Sequence, residues 1–194
     1  MTPPVSHSLL RHARTLALRC LAALLAATLS ACVHGQVPAT RPALVNAKLE
    51  DKLSGMLRFD VPLLSADSLA VYTIEGRAPE PLLLDVREVG EYAVSHLPGA
   101  VHVAPGKLPA WLDTVPHARP IVVYCTVGYR SERLGRELRE AGFTEVQNLY
   151  GSIFEWVDRG YGLVDASGAP TRDVHTYNKR WGRWLTSPTA TKVD

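Results

Sequence analysis

The run Pro120-Ile121-Val122-Val123-Tyr124 is the most strongly strand-like stretch of the chain, and it leads directly into a cysteine and a short loop. Its continuous apolar character predicts a strand that is covered on both faces. An amphipathic helix is predicted next, from Ser131 to Ala141, with Gly142 as its natural end. A buried strand followed closely by such a helix is typical of α/β folds.

Apolar runs and amphipathic stretches alternate through the rest of this region. Further strands are predicted at 81–86, 100–103 and 146–149, and helices from Ser65 through Tyr72, at 89–94, from Leu108, and at 151–157. This alternation predicts an α/β fold with a mostly parallel central sheet and helices on both faces.

Cys125 stands at the end of the predicted central strand. In open α/β sheets, sites lie beyond the carboxyl ends of the strands. A tight loop there turns backbone N–H groups inward, and the following helix adds its positive end, so a thiolate is stabilised. Gly128 permits the turn, and Arg130 supplies a cation for an anionic substrate. A purely structural buried cysteine would leave this combination unexplained.

The loop resembles the Cys-x-x-Gly-x-Arg-Ser active-site loop of single-domain rhodaneses. Its residues are Cys125, Thr126, Val127, Gly128, Tyr129, Arg130 and Ser131. Segments 84–88 and 95–103 upstream, and the stretch from Gly142 to Trp156 downstream, resemble other parts of that family in the same order. The chain is therefore identified as a rhodanese-like protein, and the resemblance implies the rhodanese-like fold.

The resemblance also implies a sulfurtransferase that uses neither a metal nor a cofactor. Cys125 would carry a sulfane sulfur as a persulfide, from a small donor to cyanide or a thiol. Arg130 would attract anions, while Asp85 and Arg87 would support the loop by hydrogen bonding. The donor would be thiosulfate or another sulfane-sulfur compound. Thiosulfate-type rhodaneses tend to have basic residues directly after the cysteine, where this chain has Thr126 and Val127, which argues against efficient use of thiosulfate.

Two other functions fit parts of the pattern. Phosphatases and arsenate reductases of related fold resemble Cys-x5-Arg, whereas Arg130 is only the fifth residue after Cys125. A shorter ring suits one sulfur atom better than a tetrahedral oxyanion. A non-enzymatic sulfur carrier, thiol sensor or partner-binding module, with a protein as acceptor, remains the alternative.

Residues 1–31 are predicted to be a secretory signal peptide, with a basic start and an apolar stretch at 21–29. The sequence Leu29-Ser30-Ala31-Cys32 resembles the lipobox of bacterial lipoproteins. The resemblance implies lipidation of Cys32 and a membrane anchor in the cell envelope, facing the periplasm. Val33, in place of aspartate, favours the outer membrane. Cys20 would leave with the signal, so Cys125 would be the one free thiol.

Four regions are thus predicted: the signal at 1–31, a lipid-anchored tether with a short amphipathic helix at 32–57, a rhodanese-like domain at 58–165, and an aromatic and basic tail at 166–194. The tail is expected to pack against the domain and to end in a frayed stretch from Ser187 to Asp194.

The charge balance argues against a nucleic-acid partner. The first 31 residues hold three of the 21 basic residues and none of the 19 acidic ones, which leaves 18 basic against 19 acidic. No polycationic surface is expected. His96 and His102 lack the spacing of metal ligands and are predicted to be structural.

Overall fold

A computed structural model of the chain describes residues 41–106 and 108–194. The predicted signal peptide, Cys32 and the first part of the tether lie outside the described residues. Within the described ranges, no helix is both long enough and apolar enough to cross a bilayer.

Five parallel strands form the central sheet, in the order β1-β5-β4-β2-β3. They are β1 (Leu63–Leu64), β2 (Leu82–Asp85), β3 (Val101–His102), β4 (Ile121–Tyr124) and β5 (Val146–Leu149). All four residues of β4 are buried, as the apolar run predicted. In the register, Asp85 is opposite Tyr124, so the loops after β2 and β4 leave the same edge of the sheet side by side.

Helices cover both faces of this sheet. They are α1 (Ala47–Ser54), α2 (Ala66–Thr73), α3 (Val89–Val94), a 3-10 helix (Ala110–Thr114), α4 (Tyr129–Glu140), α5 (Ser152–Asp158) and α6 (Lys179–Gly182). Alternate residues of β4 enter two separate cores: Val122 packs with residues of α1, α2 and α5, and Val123 packs with Leu134 and Leu138 of α4. The predicted fold class is confirmed.

Two helices differ from their predicted form. Helix α4 begins at Tyr129 instead of Ser131, because Gly128 adopts a left-handed conformation (φ 111°) that turns the chain straight into the helix. The helix predicted from Leu108 is a short 3-10 helix preceded by Pro109, whose ring fixes an extended backbone there.

The segment before the predicted domain packs more closely than a tether would. Leu44 is buried in the core beside Leu49 and Leu53 of α1, and the Val45 amide donates to the Glu155 carboxylate at 3.0 Å. The tether predicted to precede the amphipathic helix within 32–57 therefore contacts the domain through the Leu44 side chain and the Val45 amide. A single leucine gives no periodic signal by which this contact could be predicted.

The C-terminal segment is folded to its end. β6 (Leu163–Val164) pairs antiparallel with β7 (Pro170–Thr171), and β8 (Asp173–His175) pairs parallel with β9 (Thr191–Val193). Val174 and Leu185 are buried in the core, so the segment packs on the domain as expected. The expected fraying is wrong, because β9 is paired along its length and the Thr176 hydroxyl donates to the Asp194 side chain.

Residues 41–194 form one compact unit. The predicted boundaries of the rhodanese-like domain, before residue 58 and after residue 165, do not coincide with a break in this unit. Both boundaries stay predictions about the extent of the rhodanese-like region.

Candidate active site

The loop between β4 and α4, together with the first turn of α4, holds the seven residues predicted for the site, Cys125 to Ser131. Cys125 follows the last residue of β4 and is 1% exposed. Thr126, Val127 and Ser131 are also buried, whereas the ring of Tyr129 is mostly exposed. Tyr129 therefore lies at the outer edge of the loop.

The first turn of α5 fixes the direction of the loop backbone. The Ile153 amide donates to the Cys125 carbonyl at 3.2 Å, and the Phe154 amide donates to the Thr126 carbonyl at 3.4 Å. With these carbonyls directed toward α5, the later amides of the loop are free to face the sulfur. The Gly128 amide does so, donating to Cys125 Sγ at 3.2 Å.

Asn148, in β5, ties the two ends of the loop together. Its Nδ2 donates to the Gly128 carbonyl at 3.0 Å, and its Oδ1 accepts from the Ser131 hydroxyl at 2.7 Å. The amide orientation follows from these two bonds, because only Nδ2 can donate to a carbonyl. Asn148 is fully buried, so it fixes the loop without contacting solvent.

Opposing effects act on the ionisation of Cys125. Burial raises the pKa of the thiol, but the positive charge of Arg130 and hydrogen bonds from the Ser131 amide, the Ser131 hydroxyl and the Gly128 amide lower it. The net result is a pKa below the ordinary value of a cysteine. The site therefore favours the thiolate, which is the nucleophilic form.

Arg130 does not stand as a free cation. Its Nη1 donates to Glu91 Oε2 at 2.7 Å, and its Nη2 donates to Glu91 Oε1 and to the Thr126 hydroxyl, both at 2.8 Å. The Thr126 hydroxyl donates in turn to Glu91 Oε1 at 3.1 Å. The sequence predicted that Arg130 would attract anions, and the structure shows that most of its charge is balanced inside the site.

Glu91 lies in the first turn of α3 and is 3% exposed. Its carboxylate also accepts from the Glu88 amide at 2.9 Å, as part of a capping box. Burial raises the pKa of Glu91, but the hydrogen bonds from Arg130 and the Glu88 amide lower it by more. The pKa therefore stays below the usual range of glutamate. Glu91 is thus held as a carboxylate beside Arg130.

Asp85 and Arg87 lie behind the loop and do not line its cavity. The Arg87 Nη2 donates to Asp85 Oδ2 and to the Ser95 carbonyl, both at 2.6 Å, and both side chains are fully buried. His102 Nε2 lies 2.7 Å from the Arg87 carbonyl. The arrangement connects the end of β2 to β3 and supports the predicted structural role.

A cavity of about 220 Å³ opens over Cys125. Its lining residues come from three parts of the chain: Met56, Cys125, Thr126, Val127, Tyr129, Arg130, Tyr177 and Trp181. A larger cavity of about 420 Å³, between α5 and the C-terminal segment, is lined by no cysteine or carboxylate. The cavity over Cys125 is therefore the candidate active site. The described ranges contain no group of His, Cys, Asp and Glu side chains that could hold a metal ion.

Five residues of the site were not singled out from the sequence. They are Met56, Glu91, Asn148, Tyr177 and Trp181. The capping-box spacing of Glu88 and Glu91 was a signal that could have marked Glu91 as the start of a helix, although not as the partner of Arg130. For the other residues the sequence carries no spacing signal, because tertiary packing alone brings them to the loop.

The sequence matches the Rhodanese-like domain family over residues 72–159. A sulfurtransferase of Allochromatium vinosum is 32% identical over 87 residues, which cover 45% of this chain and 81% of that protein. YrkF of Bacillus subtilis, provisionally named a sulfur carrier protein, is 32% identical over 77 residues, 40% of this chain. The chain spans 42% of the length of YrkF.

Among solved structures, the chain resembles a thiosulfate sulfurtransferase from Pseudomonas aeruginosa with a TM-score of 0.51 and 25% identity. The similarity covers 66% of this chain and 24% of that chain. The α/β architecture described above is therefore shared with a solved structure.

Proposed function

The chain belongs to the rhodanese-like family, and on that premise we propose that it transfers a sulfane sulfur through a persulfide on Cys125. The sulfurtransferases among its relatives support sulfur transfer in general. The observation that carries the specific proposal is the Cys125 thiol at the floor of a cavity, with the Gly128 amide donating to its sulfur and its pKa lowered.

The proposed reaction has two displacements at sulfur. The Cys125 thiolate attacks the outer sulfur of a donor, the sulfur–sulfur bond of the donor breaks, and the remainder of the donor leaves with the bonding electron pair. Loop amides that favour the thiolate are also suited to the negative charge of the persulfide. An acceptor such as cyanide or a thiolate then attacks the outer sulfur and releases Cys125 as thiolate.

Replacement of Cys125 tests this function. We expect Cys125→Ser to abolish the gain of one sulfur atom by the protein, and cyanide-dependent thiocyanate formation, because a hydroxyl is not a comparable nucleophile at neutral pH. Intact-protein mass spectrometry after mixing with sulfane donors measures the first and a colorimetric assay the second. The thermal unfolding temperature should stay nearly unchanged, since the two side chains are almost isosteric. Thiocyanate formation retained in the variant would refute the assignment.

A sulfur carrier that serves a protein acceptor is the second candidate, and the similarity to YrkF favours it. The two functions differ in turnover. An enzyme releases sulfur to cyanide or a small thiol repeatedly, whereas a dedicated carrier is loaded once per chain and retains the sulfur until its partner protein is added. Counting thiocyanate formed per chain over time separates them.

We also propose that Cys32 carries a lipid that anchors the protein in the bacterial cell envelope, facing the periplasm. The lipobox-like residues 29–32 support this proposal, and two or more acyl chains give durable anchoring. In bacterial cells, Cys32→Ala should yield protein without the lipid mass and in the soluble fraction. Cys20→Ala is the matched control and should remain at the membrane. Unchanged membrane association of Cys32→Ala would contradict the proposal.

A further inference from the structure

Three of the side chains that line the Cys125 cavity, which we call its mouth, lie outside residues 72–159, the range of the family match. Met56 follows α1, whereas Tyr177 and Trp181 belong to the C-terminal segment. We propose that these three side chains select small organic persulfides with an apolar substituent as sulfur donors, over inorganic dianions such as thiosulfate. The inference rests on the proposed sulfur transfer and specifies its substrate class.

The charges in the site disfavour a dianion. The positive charge of Arg130 is paired with the Glu91 carboxylate at 2.7 Å, so ionisation of Cys125 leaves one net negative charge on these three groups. A doubly charged donor would lose hydration on entry and find no unpaired cation among the lining residues. The basic residues of α6, Lys179 and Arg180, are exposed and do not line the cavity.

The walls of the cavity favour an apolar group instead. Val127, Met56 and Trp181 present aliphatic, thioether and aromatic surfaces, which suit an apolar substituent and its sulfur atoms. Arg130 Cζ lies over the Tyr177 ring, 5.3 Å from its centroid and within the range of a cation–π contact. A cavity of about 220 Å³ is smaller than a typical drug-sized site, which points to a small organic molecule.

The fold holds this mouth in a defined position. Tyr177 has a left-handed backbone (φ 68°), which a tyrosine rarely adopts, and its amide donates to His175 Nδ1 at 3.1 Å. Asn178 caps α6 and accepts from the Trp181 amide at 3.0 Å, while Val174 of β8 is fully buried. The backbone that carries these two rings is therefore anchored at the end of β8 and in α6, as a selective wall requires.

The transfer step needs no further reactant. The Cys125 thiolate attacks the outer sulfur of R–S–SH, in which R is the apolar group, and the donor sulfur–sulfur bond breaks as the new one forms. The leaving R–S⁻ takes the proton of the transferred sulfur, so the products are R–SH and the Cys125 persulfide anion. The sulfane sulfur keeps its oxidation state, and R remains in the cavity mouth throughout.

Competing donors test the inference on the full chain. We expect sulfur uptake from benzyl persulfide to exceed that from thiosulfate by about tenfold or more in second-order rate constant, which is the discrimination that apolar pocket contacts commonly provide. Trp181→Ala and Tyr177→Asn should each lose about tenfold with benzyl persulfide and change by less than about twofold with thiosulfate. Asparagine tolerates the left-handed backbone, so Tyr177→Asn is expected to fold normally.

Trp111→Ala is the matched control, because Trp111 is a partly exposed tryptophan in the 3-10 helix and does not line the cavity. It should leave both rates unchanged. Equal rates for the two donors in the unmodified protein, equal loss of both donors in Tyr177→Asn, or the same loss in Trp111→Ala would overturn the inference.

A binding measurement separates this inference from the proposed function. Calorimetry of benzyl mercaptan with the Cys125→Ser protein should show binding that weakens about tenfold when Trp181→Ala is added. Binding without sulfur uptake from any donor would support the apolar pocket and refute the transfer function. Sulfur uptake from thiosulfate alone, without mercaptan binding, would support the function and refute the inference.

Discussion

The thiol of Cys125 is buried, yet its pKa lies below the ordinary value because charge and hydrogen bonds outweigh the effect of burial. The Ser131 hydroxyl has a special position among these contacts. The hydroxyl has one proton and two possible acceptors, which are the Asn148 side chain of β5 and the ionised sulfur of Cys125. The hydroxyl can thus respond to ionisation, whereas the amide donors are fixed.

The pH dependence of sulfur uptake tests this balance. The rate should rise with pH as the thiolate forms, with a midpoint below about 8.5, the value of a free cysteine. Ser131→Ala removes a donor to the thiolate, so the pKa should rise by up to about one unit, as expected for a charged hydrogen bond of about 1.5 kcal/mol. Stopped-flow kinetics across pH measures both midpoints. Ser54→Ala, at an exposed serine, is the control, and a Ser131→Ala midpoint equal to that control would contradict the assignment.

At the residue scale the sequence predicted the loop around Cys125, the proposed nucleophile, but not the carboxylate that pairs with Arg130. Cys125, Gly128 and Arg130 share one short loop, so spacing alone placed them together. Glu91 is 39 residues from Arg130, and the ion pair exists only because α3 and the loop leave the same edge of the sheet. A pattern read along the chain contains no information about such a contact.

At the scale of the elements, the turn from β5 into α5 packs closely around Gly151, more closely than the loop packs around Gly128. Gly151 has φ 74°, and a Cβ atom there would lie 2.6 Å from Glu155 Cβ and 2.9 Å from Leu44 Cδ2. The helix that begins after this turn supplies the amides that bind the carbonyls of Cys125 and Thr126. The geometry of the loop that holds Cys125 therefore depends on a turn between two other elements.

We expect Gly151→Ala to lower the free energy of unfolding by about 3 kcal/mol, combining the left-handed backbone of an alanine with overpacking. Gly160→Ala is a matched control, because φ is 85° there but no atom lies within 4 Å of the added Cβ. It should cost only about 1–2 kcal/mol. Urea denaturation measures both values, and equal losses would show that the close contacts at Gly151 relax freely.

Element positions were predicted best where apolar runs are long or helices have clear ends. Helix α3 and strand β5 have the predicted bounds, and β4 differs by one residue. Strands β1 and β6 to β9 were not predicted, because two or three residues are too few to show a period of two. Their pairing is decided by contacts between distant parts of the chain.

At the scale of the whole molecule, segments on both sides of the family match, residues 72–159, contribute side chains to one hydrophobic core. Leu44, Leu53, Val174 and Leu185 belong to the same buried cluster as Val127 of the loop. Packing of the C-terminal segment was predicted from its tryptophans, but its paired final strand was not, since Ser187, Pro188 and Thr189 suggested fraying. The structure assigns these flanks to the folding unit.

Leu185→Ala should therefore destabilise the whole molecule by about 2–5 kcal/mol, as for other buried leucines. Ile74→Ala removes an apolar side chain that is 60% exposed and should change the free energy of unfolding by no more than about 0.5 kcal/mol. Chemical denaturation followed by far-UV circular dichroism compares the two. A loss in Leu185→Ala as small as that in Ile74→Ala would show that the C-terminal segment is dispensable for folding.

The Arg130–Glu91 pair has a further consequence for how donors arrive. Opposite charges 2.7 Å apart produce a field that falls off quickly with distance, so the cavity exerts little long-range pull on an ion in solution. Encounter with an uncharged donor should then be governed by diffusion and shape, and be nearly insensitive to ionic strength. An anionic donor, in contrast, meets the one negative charge that remains when Cys125 is ionised, so its encounter should become faster as salt screens the repulsion.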